Sequence, residues 1–180
     1  MPQNEKTMTK EILTFALALM SFASIYAQSE NNPLSFMVGK WKGSGWMMTQ
    51  SGKQFTNITE NVVCKLDCAV LSVEGLGTKF DSLAKKEITV HDAFGVISKD
   101  SKNNKWVMRA YKKSEVIDAE IIFVSEKVIR WELPIPNNSG TMRFTTDFTT
   151  TDKWKGTGEY SRDGQSWMII METELTKVVD

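Results

Sequence analysis

Gly39-Lys40-Trp41-Lys42-Gly43-Ser44-Gly45-Trp46 decides the fold. A near-copy, Lys153-Trp154-Lys155-Gly156-Thr157-Gly158, returns late in the chain. In each copy Lys, Trp and Lys alternate, the period of a strand with one wet face and one buried face. Two glycines follow at i and i+2, on the face that carries the Trp. Glycine weakens a strand but lets it bend sharply and lets another backbone or a ring come close. A small closed barrel needs such a strand where it opens and where it closes.

Outward from these copies, nearly everything alternates. Upstream, Pro33 to Val38 reads as one helical turn that plugs a barrel end, with Pro near its start. Downstream, strands are predicted over about 39–49, 53–66, 68–79, 86–99, 104–113, 116–124, 127–134, 140–150, 152–161 and 165–177. Clusters such as Gln50-Ser51-Gly52, Asn137-Asn138-Ser139-Gly140 and Arg162-Asp163-Gly164 mark hairpin turns between them. The stretch from Asp81 to Lys86 is the one longer connection, with helix as an alternative to a loop. The expected fold is all-β: a single antiparallel up-and-down barrel of about ten strands with a short N-terminal helical plug.

The chain of 180 residues carries 22 Lys plus Arg and 22 Asp plus Glu, so its net charge is zero. No basic patch stands out, and no nucleic acid is expected as a partner. Lys6 and Lys10 precede an apolar run from Ile12 to Ala23, followed by Ala27-Gln28-Ser29-Glu30. That order predicts a secretory signal over 1–27 and a barrel domain over 28–180, with Met8 as an alternative start and Ala23 as an alternative cleavage point. The run is short for a membrane anchor, and no later stretch is apolar enough to span. The expected location is secreted or periplasmic. Cys64 and Cys68 flank a tight turn; a disulfide and two buried thiols are both compatible with that spacing.

With Gly39-Lys40-Trp41 behind a short plug and a meander after it, the chain resembles the calycins, the lipocalin-like barrels. The longer Gly-x-Trp-x-Gly-x-Gly from Gly39 to Gly45 is closer to exported bacterial barrels related to nitrobindin. His91-Asp92-Ala93-Phe94-Gly95-Val96-Ile97 and the Phe55 to Glu60 strand also match that branch. The resemblance covers 33–178. Nitrobindins bind haem through a His on the last strand. Here that strand has no His, Glu172 stands near the aligned place, and His91 is the one histidine of the chain. Met171 is the inward side chain that could ligate iron. No haem and no other cofactor is expected.

No nucleophile–base–acid constellation, phosphate loop or metal-spaced cluster is visible, so no catalytic residue and no metal site is predicted. The pocket is expected from inward faces. Trp131, Met142, Trp167 and Met171 all fall on apolar, alternating faces. Glu60 shares a face with Ile58, Val62 and Leu66, where a carboxylate must be paired or neutral. His91 and Arg109 are the candidate partners, with Tyr111 on the face of Arg109. For Glu60 and Arg109 the alternative is a bulged strand with solvated charges. The expected function is an exported barrel binding a small, mainly apolar or amphipathic molecule. Two rivals stand beside it: a haem-dependent enzyme, and a filled barrel acting as an envelope interaction module through outer residues such as Trp46 and Met48.

Overall fold

Period-two alternation becomes strand along nearly the whole chain. The computed structural model describes residues 32–179, and the leader expected over 1–27 lies outside them. Ten strands follow one another: β1 (Gly39–Thr49), β2 (Gly52–Lys65), β3 (Val70–Asp81), β4 (Lys86–Asp100), β5 (Lys105–Lys112), β6 (Glu115–Ser125), β7 (Val128–Pro134), β8 (Thr141–Asp147), β9 (Lys153–Ser161) and β10 (Met168–Lys177). Each pairs antiparallel with the next, and β10 returns to β1, closing the barrel. Of the helical turn expected over 33–38 the structure has a 3₁₀ turn, Ser35–Met37.

The two Gly-rich copies meet at the closure. β1 lies against β10 with Gly43 opposite Leu175 and Gly45 opposite Thr173. A Cβ on Gly43 would sit 2.8 Å from the Leu175 Cα, closer than side chains and backbone approach. Only glycine lets the two strands close this tightly.

One end of the barrel is filled. Leu34, Met37, Trp41, Val62, Leu71, Ile97, Ile121, Ile129, Phe148, Trp154 and Leu175 form one buried cluster. The Trp41 indole donates to the Met37 carbonyl at 2.8 Å, which ties the 3₁₀ turn to the first strand. The β2–β3 hairpin at this end carries the Cys64–Cys68 disulfide. Leu66, Asp67 and Cys68 all take the left-handed backbone between its sulfurs.

Ion pairs cross-link the outer wall, beside exposed apolar side chains such as Phe94, Tyr111 and Ile122. Lys105 meets Glu120 at 2.6 Å, Arg109 meets Asp118 at 2.7 Å and Lys153 meets Glu174 at 3.3 Å. A wall built to face hydrocarbon would be apolar at those positions.

Three irregularities matter for the faces. β3 and β4 slip at Gly77/Thr78, and β9 and β10 slip between Ile169 and Met171. The ladder between β6 and β7 consists of Ser125↔Val128, Phe123↔Ile129 and Ile122↔Arg130, and stops there. The connection at 82–85 is a turn, not a helix, because the Asp81 carboxylate takes the N–H groups of Leu83 and Ala84.

Candidate site at the open end of the barrel

Alternation along β2 turns Ile58, Glu60 and Val62 inward together. Glu60 lies between Trp41 of β1 and Gly75 of β3 in the register. Gly75 offers no side chain to it: a Cβ there would be 2.9 Å from both carboxylate oxygens. Among the described residues no side chain or backbone group forms a hydrogen bond or ion pair with this carboxylate. Burial pushes it from 4.5 up to about 7. Glu60 therefore moves between acid and carboxylate near neutral pH, as proton donor or as acceptor.

Beside Glu60 the wall is poor in side chains. Gly75 pairs with Ala93, Gly77 with His91, and Gly95 with Ala110, all on the inward face of β3, β4 and β5. The other wall is bulky. Trp131 and Phe144 stack with centroids 5.6 Å apart, Met142 faces Leu133, and Met171 lies beside Gly158. Toward the open end the lining turns polar. The Lys79 ammonium donates to Gln54 at 2.8 Å. His91 stands beside Gly77 at the mouth, and its pKa is lowered, first by burial and then by the Lys112 charge, against a smaller pull from Asp92. Deeper, the Thr146 hydroxyl is buried with no hydrogen-bond partner among the described residues.

Glu60, His91, Trp131, Met142 and Met171 thus face one interior. Arg109, Tyr111 and Trp167 do not. Arg109 lies on the outer face, bidentate to Asp118 with both contacts at 2.7 Å, so it cannot offset Glu60. The reason is the phase of β5: Trp106, Met108 and Ala110 take the inward positions, opposite Lys99, Ile97 and Gly95. Tyr111 is outward too, 6.5 Å from the Phe94 ring. Both border a shallow outer depression of about 570 Å³ with Val107, Asp118 and Glu120. Trp167 is outward because the bulge after Ile169 reverses the phase of β10. Its ring lies under the Arg143 guanidinium, 3.7 Å from the centroid.

Four inward groups escaped the sequence reading: Gly75, Gln54, Lys79 and Lys112. A signal for the first was present. Gly75-Leu76-Gly77 is a third Gly-x-Gly, after Gly43-x-Gly45 and Gly156-x-Gly158. The last-strand position that the nitrobindin resemblance would give to an axial ligand carries Glu172. Its side chain faces outward and accepts from the Trp46 indole at 3.0 Å, so that position does not fit a haem. Among the described residues no group of three or more His, Cys, Asp or Glu side chains is placed to hold a metal.

No family model matches the chain, and no curated protein matches it. Solved structures do. Rv2717c from M. tuberculosis matches with a TM-score of 0.54 at 12% identity, over 82% of this chain and 94% of that one. The S-type phycobiliprotein lyase CPES from Guillardia theta matches with a TM-score of 0.56 at 11% identity, over 82% of this chain and 91% of that one. At such identities the likeness is one of fold. With the closed antiparallel barrel of ten strands, it fits a lipocalin-like, or calycin-like, fold for this chain.

Proposed function

We propose that the protein binds a small, mainly apolar or amphipathic molecule in the open half of its barrel, with Glu60 as the polar contact. One observation carries this reading. A carboxylate without a partner points into an apolar interior, toward a glycine whose missing side chain leaves its oxygens room. A buried carboxylate costs folding free energy, and a structural role would give it a cation. A ligand that donates a hydrogen bond or carries a positive charge supplies the missing partner. The Trp131–Phe144 stack with Met142 and Met171 supplies an adaptable apolar wall for its body. His91 and Lys112 stand at the entrance.

Export belongs to the same proposal. The Cys64–Cys68 disulfide favours an oxidising compartment, and the Lys10 and Ile12–Ala23 pattern supplies the address.

Native mass spectrometry of the protein purified from its own host tests the reading directly. The expected result is a bound small molecule that leaves on Trp131→Ala or Glu60→Leu substitution. The dye phenylnaphthylamine gives a second readout: it should brighten with wild type and be displaced by the native ligand. A mass equal to the bare chain, together with no dye binding, sinks the proposal.

A further inference from the structure

The open rim carries apolar side chains that the interior does not use. Phe55 and Phe80 each keep 66% of their surface exposed, and Leu83 keeps 95%. Phe55 pairs with Trp46 on the outer face, and Phe80 pairs with Glu87 on the outer face. Two residues beyond the Asn57↔Thr78 pair, Phe55 and Phe80 are the next outward positions on neighbouring strands. Leu83 stands at the tip of the β3–β4 turn. That tip is built: Asp81 Oδ1 accepts from Leu83 N at 2.9 Å and from Ala84 N at 3.0 Å. An Asx-type turn of this kind holds the leucine away from the barrel.

Charge surrounds these side chains. The Lys53 ammonium lies 3.5 Å from the centroid of the Trp46 ring. Lys85 and Lys86 follow Leu83 directly. Two acids stand among them: Asp81, which spends one oxygen on the turn, and Glu87, across from Phe80 on the outer face. Apolar tips ringed by Trp and Lys suit a lipid–water interface: rings and leucine enter the acyl boundary, while lysine stems reach the phosphates.

We propose that this rim docks on an anionic lipid bilayer, with Leu83, Phe80 and Phe55 entering the acyl boundary and Lys53, Lys85 and Lys86 on lipid phosphates. Docking this way turns the open end of the barrel toward the lipid. It stands on the outer rim alone and holds whether or not the interior takes a ligand.

Flotation of the full chain with vesicles tests it, using phosphatidylglycerol and phosphatidylcholine in equal parts against phosphatidylcholine alone. Association is expected with the mixed vesicles, weakened by salt and by omission of phosphatidylglycerol. Leu83→Ser and Phe80→Ser should each lower vesicle affinity by about tenfold, the scale set by withdrawing one large apolar side chain from water. Lys85→Glu with Lys86→Glu should abolish the preference for anionic lipid. Leu83 packs on nothing, so its variant should keep the unfolding midpoint of wild type. Three results overturn the proposal: no association with anionic vesicles, association indifferent to the Leu83 and Lys85/Lys86 changes, or rim-dependent capture of a protein without vesicle binding.

Discussion

Glu60 on β2 and Gly75 on β3 are cross-strand neighbours, and the space a Cβ would take at position 75 lies 2.9 Å from both oxygens of the Glu60 carboxylate. Gly75→Ala must therefore push the carboxylate aside. The expected cost is about 1–3 kcal/mol, as for other overpacked interiors. The obstacle is the far end of one side chain, so Glu60→Ala should relieve most of that cost. Urea denaturation of the two single variants and the double variant measures the coupling. Strictly additive values would show that the two residues do not meet.

Glu60 also sets a slope in stability against pH. Its folded-state pKa of about 7 is above the unfolded value of 4.5, so between these the folded state binds more protons. Stability then falls as pH rises through that window, by a total on the order of 3 kcal/mol. His91 acts in the opposite sense, because its lowered pKa costs stability as pH falls below its ordinary value. Comparing wild type with Glu60→Gln, which keeps His91, isolates the carboxylate. The variant should match wild type near pH 4 and exceed it above pH 7. Parallel curves across that range would place Glu60 in water.

Trp41 and Trp154 meet edge to face, with centroids 5.8 Å apart and planes at 85°, and Phe148 packs on both. Trp41→Ala and Trp154→Ala should each lose about 3–5 kcal/mol of stability, the range for large-to-small changes in a packed core. Because the rings touch, the double variant should lose less than the sum. An unfolding midpoint unchanged in either single variant would contradict this packing.

Thr146 buries a hydroxyl that no described group satisfies. Thr146→Val keeps the shape and removes the unmet hydrogen bond. It should be neutral or stabilising, by about 1 kcal/mol. A clear loss of stability on thermal melting would mean that the hydroxyl has a partner in solution.

Much of the barrel was legible because its strands are amphipathic. Trp131, Met142 and Phe144 each sit one residue from polar neighbours, so period alone turns them inward, and the structure agrees. Glu60 was legible the same way, as a charge out of place on an apolar face. Trp167 was not, because a bulge is one uncounted residue and reverses every position before it. Arg109 was not, because Val107 and Tyr111 on its face are as apolar as Met108 and Ala110 on the other. Only the neighbouring strands decide between those faces. Lys79 and Lys112 look like solvated lysines in sequence; they line the mouth because the strand period carries them inside.

The short ladder between β6 and β7 makes the wall unequal in strength. Past Ile122↔Arg130 the register pairs no further residues of Glu115–Ile121 with Trp131–Pro134. The other ladders run longer, with single slips at Gly77/Thr78 and between Ile169 and Met171. Amide protons along this short seam should exchange ahead of those on the longer ladders. Trp131 borders this seam on the inner face, so that early exchange is expected beside the Trp131–Phe144 stack.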